Sequence, residues 1–279
     1  MREKILKGAS KYIEEFKSKL FVIKYGGSML DDEALSESIL DDIICFHHNG
    51  MKVVLVHGGG STISRLMKER GKEPEFVGGL RVTDKETADI VDEALSEVNK
   101  GLVDRIKAKA VKAESIVSRE KLTIKGKKKE SAPLGDFAGD VDSVDTSHIE
   151  EVIADNAIPV ISPVGVDNKK TLYNINADLA AAEIAAALSA EKFIMLTNVK
   201  GVLTNKDDEK SLLSTLKEKE TLKLIDKGII ASGMIPKVQA GIIALDKGVK
   251  KIHIISGRIS HSLLIEVFTD EGIGTEIVR

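Results

Sequence analysis

Two glycine-rich loops, each beside a cationic or polar side chain, carry the strongest chemical signal in the sequence. One apolar run ends in Lys24-Tyr25-Gly26-Gly27-Ser28, and the next ends in His57-Gly58-Gly59-Gly60-Ser61. Glycines let backbone N–H groups approach an anion closely, and the second loop leads into a helical pattern, whose N-terminus attracts negative charge. Tight turns alone would explain one such loop. Two of them after neighbouring strands favour a phosphate-binding site.

Two helix starts bring further polar groups. Tyr173-Asn174-Ile175-Asn176-Ala177-Asp178 opens an alanine-rich helix, and Ser232-Gly233-Met234-Ile235-Pro236-Lys237 opens another. Asn176 or Asp178 suits a helix cap, so a purely structural role is open for both stretches. A cap does not explain Lys237, because a lysine in the first turn opposes the helix dipole. This small cost makes sense if an anion lies there.

Arg81 is a further candidate for binding an anion. It lies in Gly79-Leu80-Arg81-Val82-Thr83-Asp84, where Thr83 with Glu86 fits a capping box for the next helix. Arg81 then lies just outside that helix and is free to bind a carboxylate through two hydrogen bonds. An ordinary surface arginine is the alternative.

Several familiar catalytic patterns are absent from the sequence. It contains no Gly-x-x-x-x-Gly-Lys-Ser/Thr, no Gly-x-Gly-x-x-Gly after a strand, no His-Glu-x-x-His and no Gly-x-Ser-x-Gly. The six histidines are scattered, which predicts no dedicated metal site. The single cysteine, Cys45, excludes an intrachain disulfide framework and is expected to be a buried core residue.

The charge balance argues against nucleic acid and membranes as partners. The 279 residues include 41 basic and 44 acidic side chains, for a net charge of -3, and no tryptophan. No global field attracts polyanions, and the stacking platforms of single-strand binders are missing. No apolar run approaches the roughly 18 residues of a membrane span, and residues 1–19 are rich in Lys and Glu where a signal peptide would be apolar. We interpret the chain as a cytoplasmic protein that binds anions locally.

The elements that must position these residues alternate between strand and helix. Continuous apolar runs, typical of strands covered on both faces, occur at Leu20–Lys24, Val53–His57, Ile158–Ser162, Phe193–Thr197 and Ile252–Ser256. Helical patterns occur at Asp32–His48, Ser61–Arg70, Asp84–Asn99, Thr146–Asn156, Ala177–Ser189, Lys237–Lys247 and Ile259–Phe268. The alternation predicts an α/β fold, a three-layer αβα sandwich around a mainly parallel open sheet, with ligands beyond the carboxyl ends of the strands.

Three parts of the chain depart from this alternation. Short polar segments within Ala108–Asp145 suggest antiparallel hairpins, with Lys125–Lys129 at a hairpin tip. A boundary between two halves is expected near Leu188–Lys192. At the amino terminus an apolar stripe at helical spacing must be covered by its own domain or by another subunit; its members are Ile5, Leu6, Ala9, Tyr12, Ile13 and Phe16.

Taken together, these motifs resemble the amino acid kinase superfamily, and within it the N-acetylglutamate kinases of arginine biosynthesis. The resemblance runs from Lys19 to the carboxyl terminus and rests on five motifs in the family's order: those that begin at Val22, His57, Gly79, Tyr173 and Gly233. It implies that the chain uses ATP to phosphorylate the γ-carboxylate of N-acetyl-L-glutamate to an acyl phosphate. It also implies that residues 19–189 bind the acyl amino acid and form a dimer, and that residues 190–279 bind ATP.

The catalytic roles implied by the resemblance fall on three charged residues. Lys24 and Lys237 correspond to the lysines that flank the transferred phosphoryl group, and Asp178 corresponds to the carboxylate that holds them. The nucleophile would be a substrate carboxylate, already ionised at neutral pH because its pKa is about 4.3. No general base is then needed. The protein has to align two anions and neutralise charge on the phosphoryl oxygens.

The binding roles implied by the resemblance surround these three residues. Gly59 and Gly60 would contact the phosphoryl group and the substrate, while Arg81 and Asn174 would hold the carboxylates of N-acetylglutamate. The nucleotide contacts would be Gly26, Gly27, Thr197, Asn198, Gly201, Val202, Leu203, Ser232, Gly233 and Met234. Asn198 stands where the family commonly has aspartate. Mg²⁺ would arrive with ATP, held mainly by phosphates and water.

Both ends of the chain resemble the arginine-inhibited hexameric branch of the family. Residues 1–18 correspond to an oligomerisation helix that links dimers into a ring, and Glu266–Thr275 corresponds to an effector-site segment. The resemblance implies a homodimer assembled into a homohexamer. It also implies an arginine effector site at Tyr12, Glu266, Gly272 and Gly274.

Two other functions stay open. A sister kinase acting on an acetylated or carrier-bound aminoadipate would accept one more methylene, which a pocket distinguishes by only about 1–3 kcal/mol. The Gly-Leu-Arg-Val-Thr-Asp motif favours the glutamate substrate. The second alternative is an inactive arginine-binding regulator with the same fold, and the retention of Lys24, Asp178 and Lys237 argues against it.

Overall fold

An eight-stranded sheet forms the centre of the molecule and takes strands from both halves of the chain. The computed structural model describes residues 8–77, 79–133, 135–230 and 232–279. The strands are β1 Leu20–Tyr25, β2 Lys52–His57, β3 Phe76–Val77, β4 Leu80–Arg81, β5 Ala113–Ile116, β6 Ile124–Lys128, β7 Ala138–Val144, β8 Ile158–Ile161, β9 Val164–Val166, β10 Leu172–Ile175, β11 Lys192–Thr197, β12 Thr215–Lys217, β13 Lys251–Ser256 and β14 Thr275–Val278. Their order across the large sheet is β12-β14-β13-β11-β1-β2-β8-β5. Neighbours from β13 to β5 run parallel and β14 runs antiparallel to β13, so the sheet is mainly parallel, as predicted.

Helices cover both faces of the sheet, which confirms the three-layer αβα sandwich. They are α1 Ser10–Phe16, α2 Glu33–His48, α3 Gly60–Glu69, α4 Lys85–Ala108, α5 Ser118–Lys121, α6 Ser147–Ala154, α7 Ala177–Ala187, α8 Glu218–Asp226, α9 Ile235–Asp246 and α10 Ser262–Phe268. One core lies between the sheet and α1, α2, the end of α4 and α10, and it includes Cys45, which is buried as predicted. A second core lies between the sheet and α6, α7 and α9, and a smaller third cluster lies between α3 and α4.

The strand register brings the glycine loops to one edge of the sheet. Tyr25 at the end of β1 lies level with His57 at the end of β2 and with Leu196 of β11. Because these strands are parallel, the segments that follow them leave the sheet at the same edge. The two glycine loops are therefore neighbours in space, as the strand pattern predicted.

A small closed barrel of β6, β7, β9 and β10 lies beside the sheet, and β3 pairs with β4 as a short hairpin. The prediction of antiparallel hairpins over Ala108–Asp145 is right only in part. β6 and β7 are antiparallel, but Ala113–Ile116 is a parallel edge strand of the large sheet. This strand lacks a continuous apolar run because Glu114 and Ser115 at the sheet edge are exposed.

The prediction of a hairpin tip at Lys125–Lys129 is wrong. Lys125–Lys128 lie within β6, and the turn follows them. The ammonium groups of Lys125 and Lys127 lie 3.6 and 3.8 Å from the carboxylate of Asp142 on the paired strand. Opposite charges on neighbouring strands thus accommodate the basic run within a strand.

The cap of α4 is Asp84 rather than Thr83. The Asp84 carboxylate accepts a hydrogen bond from the N–H of Thr87 at 2.8 Å. The Thr83 hydroxyl instead donates to the carbonyl of Arg81 at 2.8 Å and accepts from the side-chain amide of Asn174 at 3.1 Å. The capping-box prediction is therefore wrong by one residue, and Thr83 connects two residues of the predicted substrate site.

The described part of the amino-terminal helix packs on its own chain. Ala9 and Phe16 are buried in the first core, and the Phe16 ring meets Phe21 edge-on with ring centroids 5.5 Å apart. Ile5 and Leu6 of the predicted stripe lie outside the described residues. Within the described ranges, no helix is long and apolar enough to cross a membrane.

Candidate active site

Lys24, Asp178 and Lys237 meet at the carboxyl edge of the sheet. They come from β1, from the first turn of α7 and from the first turn of α9. Lys24 Nζ lies 2.8 Å from Asp178 Oδ1, and Lys237 Nζ lies 2.7 Å from Oδ2. The Lys237 contact is a hydrogen bond, whereas the Lys24 contact has the distance but not the angle of one and is mainly electrostatic. One carboxylate thus holds two ammonium groups that are distant in sequence.

Burial and helix capping keep this carboxylate ionised and in place. The exposed fraction is 6% for the Asp178 side chain, 9% for Lys24 and 24% for Lys237. Burial by itself raises the pKa of Asp178, but the two ammonium groups outweigh it and lower this pKa to about 2. The side chain of Asn176 caps α7 and accepts from the backbone N–H groups of Asp178 and Leu179. Asp178 therefore enters the site as a fixed anion.

The two glycine loops pack closely against each other beside Lys24. A Cβ atom at Gly27 would lie 3.0 and 3.1 Å from the backbone nitrogens of Gly60 and Gly59, so a larger residue there would press the two loops apart. No described group accepts a hydrogen bond from the amides of Gly59 and Gly60. Gly60 also begins α3. Unpaired N–H groups at a helix N-terminus form an anion site.

A cavity of about 320 Å³ opens over this loop, with Gly59, Gly60, Arg81 and Asn174 in its wall. The guanidinium of Arg81 is buried and donates to Ser64 Oγ at 2.8 Å and to the Gly60 carbonyl at 3.1 Å. Burial lowers the pKa of Arg81, and no described carboxylate pairs with it. The charged residues in the described lining are Lys24, Arg81, Lys129 and Lys237 against Asp140 and Asp178. Their excess of positive charge suits an anionic ligand.

A larger cavity of about 910 Å³ lies on the other side of the two lysines, and no carboxylate occurs in its described lining. The Thr197 hydroxyl bonds both the carbonyl and the N–H of Val199, which shapes one wall. Nine of the predicted nucleotide residues line this cavity: Gly26, Gly27, Thr197, Asn198, Gly201, Val202, Leu203, Gly233 and Met234. The tenth is Ser232, whose side chain lies outside those that the structure describes.

Lys24, Gly27 and Lys237 line both cavities. The two cavities therefore meet at the ion-pair cluster: both lysines line both cavities, and Asp178 lines the smaller one. An anionic group at the end of one cavity would face an anionic group at the end of the other, with both lysines beside them. This arrangement can align two anions and stabilise charge on a group that moves between them.

The predicted effector residues lie apart from both cavities. The hydroxyl of Tyr12 donates to Asp270, and both residues line a small surface depression. Glu266 is buried, and its carboxylate accepts hydrogen bonds from the His253 ring and from the backbone N–H groups of Ile273 and Gly274. Gly272 packs against the same carboxylate, since a Cβ there would lie 3.0 Å from Glu266 Oε2. The structure thus groups Glu266, Gly272 and Gly274, and it places Tyr12 in the neighbouring depression.

Sequence reasoning missed part of the smaller cavity. Lys129 and Asp140 line it and form an ion pair of 2.8 Å. The ring of Phe76 lies under the Arg81 guanidinium at 4.7 Å. Lys129 belongs to the basic run, whose charge was the available signal, but no local pattern marks Phe76 or Asp140.

A sequence model of the amino acid kinase family matches residues 19–256, a range that includes every described residue in the walls of the two cavities. The chain belongs to the amino acid kinase family. Two proteins named acetylglutamate kinase, from Aquifex aeolicus and Methanococcus aeolicus, are 44% and 42% identical to it. The alignments cover 99% and 100% of this chain, and 97% and 98% of those proteins.

Solved structures share the amino acid kinase fold. N-acetylglutamate synthase from Neisseria gonorrhoeae, in complex with coenzyme A and N-acetyl-glutamate, has a TM-score of 0.87 at 25% identity. The match covers 99% of this chain but only 63% of that longer protein. Carbamate kinase from Giardia has a TM-score of 0.70 at 19% identity, covering 94% of this chain and 99% of its own, which shows a common fold.

The substitution Asp178→Asn should weaken the fold in a pH-dependent way. Because the folded-state pKa is lowered from 3.8 to about 2, the ionised carboxylate stabilises the fold above pH 3.8 and loses that contribution as the pH falls through about 2. The pH-dependent part of the stability gap to the wild type should be about 2 kcal/mol at pH 7 and should close toward pH 2.

Urea denaturation at pH 7, 5 and 3 measures this gap. Glu183→Gln on the same helix is the matched control, because its partner Lys247 is exposed and its ion pair is screened. A gap for Asp178→Asn that does not change with pH would show that the two lysines do not hold this carboxylate ionised.

Proposed function

We propose that this chain is an acetylglutamate kinase, which transfers the γ-phosphoryl group of ATP to the γ-carboxylate of N-acetyl-L-glutamate and forms an acyl phosphate. The observation that carries the proposal is the pair of cavities joined at Lys24 and Lys237. Curated relatives with this name, 40–44% identical over nearly the whole chain, support the same reaction.

The chemistry needs alignment and charge neutralisation more than proton transfer. The acceptor is a carboxylate with an ordinary pKa of about 4.3, so it is ionised at neutral pH. Asp178 does not act as a base, because its pKa is about 2 and the lysines engage both its oxygens. Its role is to hold the ammonium groups of Lys24 and Lys237 beside the phosphoryl group. The N–H groups of Gly59 and Gly60 take part of the developing charge.

The acyl amino acid occupies the smaller cavity in this proposal. Arg81 has a buried cation without a described carboxylate partner, which suits a substrate carboxylate. Asn174 is held by Thr83, which also bonds the backbone of Arg81, so the two binding groups are oriented together. Residues 19–189 form the acceptor and dimerisation lobe.

The nucleotide occupies the larger cavity, and residues 190–279 form its lobe. Thr197, Gly201 and Gly233 bring backbone groups to the walls of this cavity. Mg²⁺ prefers carboxylate, phosphate and water oxygens as ligands. Within the described residues no cluster of acidic, His or Cys side chains suits a metal ion. A Mg²⁺ ion that arrives with ATP is therefore held by phosphates and water.

Wild-type protein with ATP should form a hydroxylamine-trapped acyl hydroxamate with N-acetyl-L-glutamate. Acetylated or carrier-bound aminoadipate has one more methylene and should react about 10- to 200-fold more slowly in kcat/KM. N-acetylaspartate has one methylene fewer than N-acetylglutamate, so it tests discrimination against a shorter acceptor. Faster turnover of the aminoadipate substrate would identify a sister kinase, and no hydroxamate from any acceptor would favour an inactive regulator.

The variants Lys24→Ala and Lys237→Ala should each lower kcat by about 10²- to 10³-fold, because each removes a preorganised charge from the transferred group. Steady-state assays measure the loss, and circular dichroism monitors folding. Lys247→Ala is the matched control, since this lysine follows the end of α9 and pairs with Glu183 far from both cavities. Near-normal turnover in either active-site variant would defeat the assignment.

We also propose that arginine inhibits the enzyme by binding between α1 and the segment after α10 in a homohexamer. Two contacts support a coupling between this effector site and the larger cavity. Tyr12 on α1 bonds Asp270 in that segment, and Thr275 at its end accepts a hydrogen bond at 2.8 Å from the backbone of Val202 in the nucleotide wall. A ligand that binds one position of this segment more tightly than another would favour that position. Through Thr275 it would therefore change the shape of the larger cavity's wall.

Deletion of residues 1–17 should leave a dimer that arginine does not inhibit, whereas the full chain should sediment as a hexamer and be inhibited. Because the deletion also removes Phe16 from the core, Tyr12→Ala provides a milder test of inhibition in a chain that retains this packing. Sedimentation velocity and arginine titrations of kcat measure both properties. A deleted form that stays hexameric or inhibited would contradict the proposal.

A further inference from the structure

A buried polar pair, His57 and Asn99, lies directly behind the glycine loop. Both residues have no solvent exposure, and neither belongs to the described lining of the two main cavities. His57 ends β2, and Asn99 lies on α4 four residues after Leu95. Leu95 and Asn99 share one face of the helix. Leu95 packs directly against Gly59, since a Cβ there would lie 2.7 Å from its Cδ2 and would force Leu95 to move. Helix α4 thus supports the loop at two successive turns.

The hydrogen bonds of this pair determine the protonation of the imidazole. Asn99 Nδ2 lies 2.8 Å from the carbonyl of Val160 and 3.1 Å from His57 Nε2. The amide nitrogen donates one proton to each, so Nε2 is an acceptor. His57 Nδ1 lies 3.0 Å from the carbonyl oxygen of Gly58, which can only accept, so Nδ1 carries the proton. Burial lowers the pKa of His57 to about 4, which keeps the ring neutral.

This chain of bonds orients one peptide group of the active site. The carbonyl of Gly58 and the N–H of Gly59 belong to the same trans peptide, so they point in opposite directions. Fixing the carbonyl toward His57 therefore turns the N–H of Gly59 away from the core. Gly58 and Gly59 both line the smaller cavity, and the nitrogen of Gly59 lies near Gly27. A glycine loop without this bond would have several accessible peptide orientations.

We propose that His57, supported by Asn99, is a positioning residue for phosphoryl transfer: its Nδ1–H holds the Gly58–Gly59 peptide so that the Gly59 N–H points at the transferred group. The inference rests on the proposed function and adds residues that touch neither substrate. An oriented donor matters most in the transition state, where charge on the phosphoryl oxygens is redistributed. The effect of losing it is therefore expected in kcat rather than in substrate binding.

Two amide substitutions separate the role of Nδ1 from that of Nε2. The amide of Asn reaches the Nδ1 position, so His57→Asn keeps a donor for the Gly58 carbonyl. The longer Gln side chain reaches the Nε2 position, so His57→Gln keeps the contact with Asn99 and loses the donor. Each variant places one amide in the same buried site, so the two substitutions should lower the stability of the fold to a similar extent. Thr221→Val is a control for loss of a buried hydroxyl, whose bond to the Lys217 carbonyl lies outside both main cavities.

We expect His57→Gln to lower kcat about 100-fold and His57→Asn to lower it less than about 10-fold, with both KM values within about threefold of wild type. Fluoroaluminate mimics the transferred phosphoryl group. Its affinity for the Mg²⁺-ADP complex with N-acetylglutamate, measured by calorimetric titration, should fall in parallel with kcat. Thr221→Val should retain wild-type kcat. Equal losses in the Asn and Gln variants, or losses only in stability, would overturn the proposal.

A measurement on the wild-type protein tests the hydrogen bonds without any variant or substrate. Protein labelled with ¹³C and ¹⁵N, with the His57 ring assigned through its backbone resonances because buried His253 has a similar donor and acceptor pattern, should show a protonated Nδ1 and an unprotonated Nε2 at His57. This pattern should not change between pH 5.5 and 8, because burial keeps the His57 ring neutral. A His57 ring protonated at Nε2 would refute the proposal even if both variants failed to fold. Absence of hydroxamate in the wild type would instead count against the proposed function and leave this test standing.

Discussion

One buried carboxylate that pairs with two ammonium groups is the interaction on which the rest of the site depends. Two like charges held beside one carboxylate repel each other, and burial adds to the cost of each. Asp178 offsets this repulsion for Lys24 and Lys237. The Asn176 cap fixes where α7 begins, and the lysines have little freedom to leave. The cluster presents positive charge to the cavities and needs no reorganisation when an anionic group arrives.

The sheet explains why residues so distant in sequence can meet. β1, from the first part of the chain, lies between β2 and β11 in the middle of the sheet. Lys24 therefore lies next to the end of a strand that has the glycine loop of the smaller cavity on one side and the threonine loop of the larger cavity on the other. Helices α7 and α9 pack together on the same face, which brings Asp178 and Lys237 to the same edge. Adjacent parallel strands of one sheet thus supply the geometry that a flexible linker between separate domains would not.

Much of the fold could be predicted from the sequence, because the central strands are buried on both faces and form continuous apolar runs. The predicted strand at Phe193–Thr197 differs from β11 by a single residue. Prediction failed where the secondary structure depends on contacts with distant residues. Ala113–Ile116 is polar because it lies at a sheet edge. The lysines of β6 are stabilised by Asp142 on the paired strand. The candidate site followed from motifs that are contiguous in sequence. Asn99 behind His57 and Asp140 beside Lys129 were not predictable, because each matters only through a partner that folding brings near.

The two cavities differ in the kind of structure that forms their walls. The larger cavity is bounded by loops that leave the central strands and by the connection between α8 and α9. The smaller one takes Phe76, Arg81, Lys129 and Gly139 from the β3–β4 hairpin and the small barrel. The hairpin and the barrel are separate from the large sheet and contribute no strand to it. Insertions or exchanges within them can reshape what the protein accepts without disturbing the cluster that handles charge. The architecture thus separates a cavity wall that can vary from the charged cluster at the sheet edge, which lets ligand preference diverge over evolutionary time at little risk to folding.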